Sequence, residues 1–319
     1  MYISIEILRA FTCLLIVNFH CLELYPESIK VLSFGGDIGN NTFFLISGFL
    51  LAPTISRTSL RDMWSGYLRR RFIKLLPMCT VFNLLGFCFF SDEITIGSFV
   101  RGFVFPTFYW FTGAIVLFYP LIFLVGKLNN IWYYAGIVTS LIVLHLVFDS
   151  LSTERYIIGF IAMISGVVLR NYLLSKYEVK RPGVLLIASG FVFGVFSILK
   201  IIYAKGVEPQ RVIHLLIGLL TIILASTLLI GLFELESELQ FVKKKEKIYR
   251  LISLLSNMTL AIYLCQAYIN FSVVNYFKKL TFPFSLVIYL AFVFGISYAV
   301  YYIDKIFREK ILAKLRYIC

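Results

Sequence analysis

Three ionisable side chains, Glu6, Arg9 and His20, interrupt an otherwise apolar stretch near the N-terminus. Arg9 and His20 are eleven positions apart, which is close to three turns of an α-helix. Both side chains would therefore project from one helix face, about 16 Å apart along the axis. Arginine holds phosphate in a planar fork, and histidine takes a proton from a hydroxyl near neutral pH. The spacing favours a site that an anionic donor enters from one side and a hydroxyl acceptor from the other.

Glu23 is a further candidate at this site, and simpler interpretations stay open. Glu23 lies three residues after His20 and would orient the imidazole if the helix continues that far. Arg9 alternatively pairs only with Glu6, one turn before it, and extends toward the cytoplasm. His20 alternatively is an interfacial histidine without a chemical role.

A second set of charges enters the third apolar run, in the segment from Leu68 to Pro77 (LRRRFIKLLP). Such a cluster commonly fixes membrane topology by facing anionic lipid. The functional alternative is that Arg71 and Lys74, one turn apart and with Arg70 beside them, reach inward to the phosphates of a nucleotide-bearing donor.

The composition indicates that membrane helices position these residues. Of the 319 residues 60% are hydrophobic and only 15% are charged, whereas soluble domains carry roughly 25% charged residues. A span needs about 20 mostly apolar residues, so we predict an all-α, polytopic bundle of about ten transmembrane helices, as a single domain over residues 1–319. The predicted spans cover residues 3–22, 34–53, 73–90, 103–126, 131–148, 156–174, 183–202, 212–233, 253–275 and 282–303.

The basic residues give this bundle an orientation. With a cytoplasmic N-terminus and alternating spans, 22 of the 30 Lys and Arg residues fall on the inner side and 8 on the outer side. The positive-inside rule predicts this asymmetry, so we expect both termini in the cytoplasm. The same rule explains the net charge of +13 without a nucleic-acid partner. The first apolar run contains Glu6 and Arg9 and leads to no cleavage site, so we expect it to remain as a helix.

The other cysteines and histidines suggest no further chemistry. The six cysteines show no metal-like spacing, so we expect no metal and interpret all six as structural. Cys21 and Cys88 both fall near the predicted outer surface, which leaves a disulfide between them open. His145 and His214 have no patterned neighbour, and we interpret both as structural.

Five segments of the sequence form a pattern when they are taken in order. They are Arg9 with His20; Phe43–Leu50 (FFLISGFL); Arg70–Pro77 (RRFIKLLP); Tyr109–Phe111 with Tyr119 and Pro120; and Ser256–Thr259 with Ile262–Leu264. Together these segments resemble the acyltransferase-3 family of integral membrane proteins, and they run from the first predicted span to the ninth. The Arg…His spacing and the Ser-Gly-Phe triplet are the more specific of the matches.

The resemblance implies an O-acyltransferase that takes acetyl from acetyl-CoA on the cytoplasmic side and modifies a sugar of an extracytoplasmic or lipid-linked glycan. It makes His20 the catalytic group and Arg9 part of the donor or active-site framework, and it suggests the inner membrane of a bacterium. Two positions depart from the family pattern. Lys74 stands where a second arginine is usual, which replaces a bidentate phosphate grip by a point charge, and Gln266 stands where a histidine is common.

We therefore predict acyl transfer to a glycan hydroxyl, with acyl-CoA, the glycan or lipid-linked oligosaccharide, and the bilayer as partners. Arg71 and Lys74, with Arg70, are predicted to attract the phosphates of acetyl-CoA. His20 is predicted to deprotonate the acceptor, with Glu23 behind it. The alternative is a glycan exporter, flippase or polymerase, or a non-catalytic relative. The sequence shows neither the paired repeats with broken helices that are typical of transporters nor a long outer loop.

Overall fold

The computed structural model describes the protein over residues 2–90, 95, 110–128, 130–147, 151–173, 182–204 and 210–316. Within these residues the regular structure is helical, and no strand occurs. The α-helices are α1 (Ile3–His20), α2 (Gly36–Arg57), α3 (Arg69–Phe90), α4 (Trp110–Val125), α5 (Ile131–Val147), α6 (Leu151–Val168), α7 (Pro182–Ala204), α8 (Gln210–Glu234), α9 (Glu236–Lys244), α10 (Glu246–Phe277) and α11 (Phe284–Arg316). The shorter segments are two 3-10 helices after α1 (Leu22–Leu24 and Glu27–Leu32) and two π-helical segments, Met63–Leu68 before α3 and Leu169–Leu173 after α6.

The helices follow the predicted spans closely. Every predicted span overlaps one α-helix, and α9 is an additional short helix that the hydropathy pattern did not predict. The first part of the fourth predicted span, residues 103–109, lies outside the described residues. The segments long and apolar enough to cross a bilayer are Ile3–His20, Gly36–Arg57, Gly183–Tyr203, Val212–Glu234, Glu246–Asn270 and Phe284–Glu309. The all-α, multi-pass membrane class is thus confirmed, while the total of about ten spans and the cytoplasmic termini stay predictions.

The chain divides into two compact units. Unit 1 contains Met1–Thr12, Asp37–Ser59 and Phe118–Ser256, and unit 2 contains Cys13–Gly36, Leu60–Leu117 and Asn257–Cys319. Boundaries between the units fall inside α1, α4 and α10. The N-terminal half of α1, with Arg9, therefore belongs to unit 1, and its C-terminal half, with His20, belongs to unit 2.

Two glycines in unit 1 allow α2 and α6 to approach each other closely. A Cβ atom added to Gly48 would lie 1.9 Å from the carbonyl oxygen of Met163, and one added to Gly166 would lie 2.0 Å from that of Leu45. Since real Cβ contacts essentially never fall below 3.0 Å, no larger residue fits at either position without moving a helix. Helices in lipid depend on such close van der Waals packing, because lipid gives them no hydrophobic drive to associate.

Further contacts complete the core of unit 1 around α2. The Phe118 ring in α4 lies 5.2 Å from the ring of Phe44 and 5.1 Å from that of Phe160, measured between centroids. The amide of Asn41 donates a 2.6 Å hydrogen bond to the Thr221 hydroxyl on α8. Because Asn41 is buried, this bond satisfies a polar group that would otherwise be costly inside a membrane protein.

In unit 2, α10 contacts three other helices. The Tyr268 hydroxyl donates to the carbonyl of Phe82 on α3 at 3.1 Å. On the same helix, Tyr263 lies against Phe111 of α4, with ring centroids 4.8 Å apart. At its C-terminal end, Phe277 meets the buried Tyr289 of α11 edge to face at 5.6 Å. Aromatic pairs at these separations contribute to packing beyond the area they bury.

Candidate active site

The start of α1 is held in unit 1 by Glu236, the first residue of α9. The Glu236 carboxylate accepts hydrogen bonds from the backbone N–H groups of Ile3 and Ser4, both at 2.9 Å, and from the Ser4 hydroxyl at 2.6 Å. The first N–H groups of a helix have no partner within the helix, and a carboxylate there also interacts favourably with the helix dipole. Glu236 therefore caps α1 although it lies 233 residues after Ile3 in the sequence. The capped helix carries both Arg9 and His20.

This cap depends on the charge of Glu236. Burial alone would raise the pKa of its carboxyl, but hydrogen bonds from Ser4 and Ile3 and the nearby charge of Lys243 outweigh burial, so the pKa lies below its ordinary value. The charged cap therefore adds stability that is fully present near neutral pH and is lost in acid.

Arg9 is half buried in unit 1, one turn after Glu6. Glu6 is buried and lies within electrostatic range of both Arg9 and Lys243. Glu6 thus lies near a positive charge on α1 and another on α9. The interpretation in which Arg9 serves only to pair with Glu6 stays open beside the functional one.

Phe49, the last residue of the Ser-Gly-Phe triplet Ser47–Phe49, joins α2 to an aromatic cluster next to the start of α1. Phe49 packs edge to face against Phe233 of α8, with ring centroids 5.5 Å apart. The Arg170 guanidinium lies 5.0 Å from the centre of the Phe49 ring, 5.7 Å from that of Phe233 and 5.8 Å from that of Tyr2. A cation among three rings stabilises their arrangement, so this aromatic cluster fixes the residue before α1 onto α2 and α8.

At the other end of α1, Asn18 fixes the chain that follows His20, within unit 2. The Asn18 amide donates to the carbonyl oxygens of Leu32, at 2.7 Å, and Phe34, at 3.1 Å. Its side-chain oxygen accepts a hydrogen bond from the Tyr25 hydroxyl at 2.7 Å. One polar residue near the end of α1 thus folds residues 25–34 back toward the last turns of this helix.

Two glycines allow the returning segment to lie against α1. Gly35 has a φ of +113°, which lies in the region that favours glycine. A Cβ added to Gly36 would lie 2.7 Å from the Phe19 ring, and Phe19 meets the half-buried His20 imidazole edge-on, with ring centroids 5.6 Å apart. The position of His20 at the end of α1 is therefore set by packing as well as by helix geometry.

Glu23 does not continue the helix that carries His20. The α1 helix ends at His20, and Glu23 lies in the 3-10 segment Leu22–Leu24. Its carboxylate forms an ion pair with Lys278, just after α10. Continuation of the helix, which is the condition under which Glu23 would orient the imidazole, is therefore not met, and the catalytic role of Glu23 stays a prediction.

Cys21, next to His20, is poorly suited to act as a nucleophile. It is a free cysteine that is fully buried, and burial raises the pKa of its thiol to about 12. The thiolate is the reactive form of cysteine, and a thiol with this pKa stays protonated near neutral pH. Since Cys21 is free, it also does not form the disulfide that the sequence left open with Cys88, whose side chain lies outside the described residues.

The predicted donor-binding residues Arg70, Arg71 and Lys74 lie in the first two turns of α3. Arg70 and Lys74 are exposed, and Arg71 is half buried. Among the residues that the structure describes, no carboxylate pairs with any of the three. Their charges are therefore available to an anionic ligand or to lipid headgroups.

Gln266 lies one turn after Tyr263 on α10, beside the contact between Tyr263 and Phe111. It is fully buried, and neither atom of its amide has a hydrogen-bond partner within the described ranges. A buried polar group without a partner costs about 1–3 kcal/mol. Stability alone therefore does not account for glutamine at this position.

A family model described as an acyltransferase domain matches residues 2–302 of the chain. The chain belongs to the acyltransferase-3 family. This match confirms the family that the sequence segments resemble, and it makes the protein a membrane acyltransferase in general terms. No curated protein and no solved structure matches the chain.

The predicted site residues of this acyltransferase-3 protein are divided between the two units. Arg9 is in unit 1, whereas His20, Glu23 and the three basic residues of α3 are in unit 2. Sequence reasoning missed the residues that hold α1 and its following segment: Glu236, Arg170, Asn18 and Lys278. Only Asn18 is near its partners in the sequence; the others act on segments more than a hundred residues away, so no local pattern identifies them.

Proposed function

We propose that this membrane acyltransferase is an O-acyltransferase of the bacterial inner membrane. It moves an acyl group, most simply acetyl, from acyl-CoA at the cytoplasmic side to a hydroxyl of a cell-surface or lipid-linked glycan. The observation that carries the proposal is one continuous α1 with Arg9 and His20 on it, inside the family match. CoA has its phosphates and its thioester at opposite ends of a long arm, which suits two groups spaced about 16 Å along a helix.

Basic side chains attract the donor to its site. Arg71 and Lys74, with Arg70 beside them, attract the CoA phosphates at the cytoplasmic face, since arginine binds phosphate as a fork and lysine binds it as a point charge. The lack of a described carboxylate partner for these three cations supports this role. Arg9 belongs to the framework that holds the donor, because an ionisable residue within a membrane span is a candidate for function.

The chemistry takes place at His20. The imidazole accepts the proton of the acceptor hydroxyl as its oxygen forms a bond to the thioester carbonyl carbon. The carbon–sulfur bond then breaks, and CoA leaves as the thiol after it takes up a proton. The products are the O-acyl glycan and free CoA.

Isothermal titration of acetyl-CoA into the purified protein tests the donor site. Wild type is compared with Arg9→Ala and Arg71→Ala, and Arg250→Ala is the matched control because Arg250 is an exposed basic residue paired with Glu246. Loss of a charge-assisted hydrogen bond costs about 1.5–3 kcal/mol, so each site variant should bind about 10- to 100-fold more weakly. The control should bind as wild type does.

The titration also separates this function from its rivals. If folded wild-type protein shows no saturable binding of acetyl-CoA, the donor site does not exist. The favoured function is then a glycan exporter, flippase or polymerase. In that case Arg70, Arg71 and Lys74 serve only to determine the membrane topology.

A further inference from the structure

Unit 1 contains a paired carboxylate and imidazole that the proposed chemistry does not use. Glu154, in the first turn of α6, pairs with Nδ1 of His214 near the start of α8. Glu154 is buried, with a side chain 3% exposed, whereas the His214 side chain is 21% exposed. A buried carboxylate thus stands behind a more accessible imidazole.

Two more elements of unit 1 add groups to this pair. From α7, the ring of Tyr203 lies 5.2 Å from the imidazole of His214. Also on α7, Lys200 forms an ion pair with Asp37 at the start of α2, and both side chains are more than one-third exposed. Asp37 lies within electrostatic range of His214. The five residues therefore form one cluster, here called the Glu154–His214 cluster.

Stability does not account for the Glu154–His214 pair. Removing a carboxylate from water costs several kcal/mol, whereas a hydrogen bond to a charged group contributes less than this cost. Ionisable groups in a membrane protein are therefore functional candidates. The helix dipole favours the negative charges of Glu154 and Asp37, which lie in the first turns of their helices.

The geometry leaves one nitrogen of His214 for a ligand. Nδ1 faces Glu154, so a neutral ring donates its proton there and keeps a lone pair on Nε2. No described residue forms a hydrogen bond with Nε2. A carboxylate on one ring nitrogen fixes the tautomer and the orientation of an imidazole, as it does at metal sites and in catalytic triads.

The groups of the cluster match a polyhydroxylated ligand. Nε2 of His214 accepts a hydrogen bond, Asp37 accepts, Lys200 donates, and the Tyr203 ring presents an apolar face beside them. A sugar ring offers the same mixture of hydroxyl groups and an apolar C–H face. The cluster lies at the starts of α2, α6 and α8 and near the end of α7. In the predicted topology these helix ends are all on the outer side of the membrane, which is the side where the proposed acceptor is modified.

We infer that the Glu154–His214 cluster is a saccharide-binding subsite for the acceptor, in which Nε2 of His214 accepts a sugar hydroxyl and Tyr203 stacks on the sugar ring. This inference rests on the proposed function, because it names where the acceptor is held. It gives His214 a binding role in place of the purely structural one that its sequence suggested.

Three readouts test the subsite: acetylation of the polysaccharide, binding of acetyl-CoA and binding of the polysaccharide. Acetate on the surface polysaccharide is measured in a deletion strain that expresses each variant, and acetyl-CoA binding is measured by titration on the purified protein. His214→Gln should lower acetate per repeating unit about tenfold while it leaves acetyl-CoA affinity unchanged. Tyr203→Phe keeps the ring and should retain acetylation, whereas Tyr203→Leu should lower it. Binding of polysaccharide extracted from the deletion strain should be lost in His214→Gln and in Tyr203→Leu.

The outcomes are separable. If His214→Gln and Tyr203→Leu both acetylate as wild type does, the subsite is refuted and the proposed function stands. If wild type itself neither binds acetyl-CoA nor acetylates the polysaccharide, the proposed function fails first. If His214→Gln does not fold, the Tyr203→Phe and Tyr203→Leu pair decides, because a difference in acetylation between two folded variants supports the subsite and equality overturns it.

Discussion

Replacing Gly48 by alanine should push α2 away from α6 and destabilise unit 1. The new Cβ would lie 1.9 Å from the carbonyl oxygen of Met163, whereas 3.0 Å is the shortest contact that real Cβ atoms show. The helices must therefore move apart by about 1 Å, which loosens close van der Waals contacts along their whole interface. Overpacking of this kind costs about 1–3 kcal/mol.

A matched variant separates this clash from the general effect of a methyl group on a membrane helix. Gly190, in α7 of the same unit, has no atom within 4 Å of its would-be Cβ. Gly190→Ala should therefore be neutral or stabilising by roughly 0.5–1 kcal/mol, because alanine is the better helix former. Gly166→Ala should behave like Gly48→Ala, since its Cβ would lie 2.0 Å from the Leu45 carbonyl oxygen.

The assay is the temperature at which the detergent-solubilised protein loses its monodisperse size-exclusion peak. One kcal/mol shifts Tm by about 2–4 °C in chains of 150–250 residues, so Gly48→Ala should lower this temperature by about 2–12 °C. Equal midpoints for Gly48→Ala and Gly190→Ala would show that α2 and α6 are not in backbone contact, and would refute the structural explanation of the Ser-Gly-Phe triplet.

Three further predictions concern the surroundings of α1. Because the pKa of Glu236 is lowered, its stabilising contribution is complete above the ordinary glutamate pKa of about 4.3 and is lost as the pH falls through the lower folded-state value. Glu236→Gln should therefore be less stable than wild type at pH 7 and more nearly equal to it near pH 4. The control Glu238→Gln, on the exposed side of α9, should be as stable as wild type at both pH values. Cys21→Ser should retain acyl transfer, because burial keeps the thiol protonated. Arg170→Ala should lose about 1–2 kcal/mol of stability through its contacts with three rings, and Arg170→Lys should lose less.

Each of these predictions has a contrary result. A difference between Glu236→Gln and wild type that is the same at pH 7 and pH 4 would show that the charge of the cap is not what matters. Complete loss of acyl transfer in folded Cys21→Ser would bring a cysteine into the chemistry. An Arg170→Ala protein with an unchanged unfolding temperature would mean that the aromatic cluster is held by its rings alone.

The helices could be predicted from the sequence because bilayer thickness imposes a length and a composition on every span. The overlap of α1, α2, α7, α8 and α11 with their predicted spans follows from this constraint. The α9 helix was not predicted, because it is short and carries several charged residues and the prediction relied on long apolar runs. The end of α1 at His20 also escaped, because the sequence after His20 has no strong helix-stopping residue before Pro26.

The site was predictable only where its residues share a helix. Arg9 and His20 could be connected through the helical repeat, and Arg71 and Lys74 through their one-turn spacing. The ion pair of Glu23 with Lys278 and the pair of Glu154 with His214 join segments far apart in the chain. Such contacts depend on how the helices pack, which no local pattern specifies, and for this reason His214 gave no signal of its carboxylate partner.

The most direct measurement is O-acetylation of the surface glycan in cells that express His20→Ala in place of wild type, with membrane levels of the two proteins matched. Incorporation of labelled acetyl groups is followed from acetyl-CoA into polysaccharide, and His145→Ala serves as the control for loss of a histidine in a membrane helix. With His20 as the group that deprotonates the acceptor, His20→Ala should abolish incorporation, while His145→Ala should incorporate acetyl as wild type does. Normal glycan acetylation by folded His20→Ala would contradict the assignment of catalysis to this end of α1.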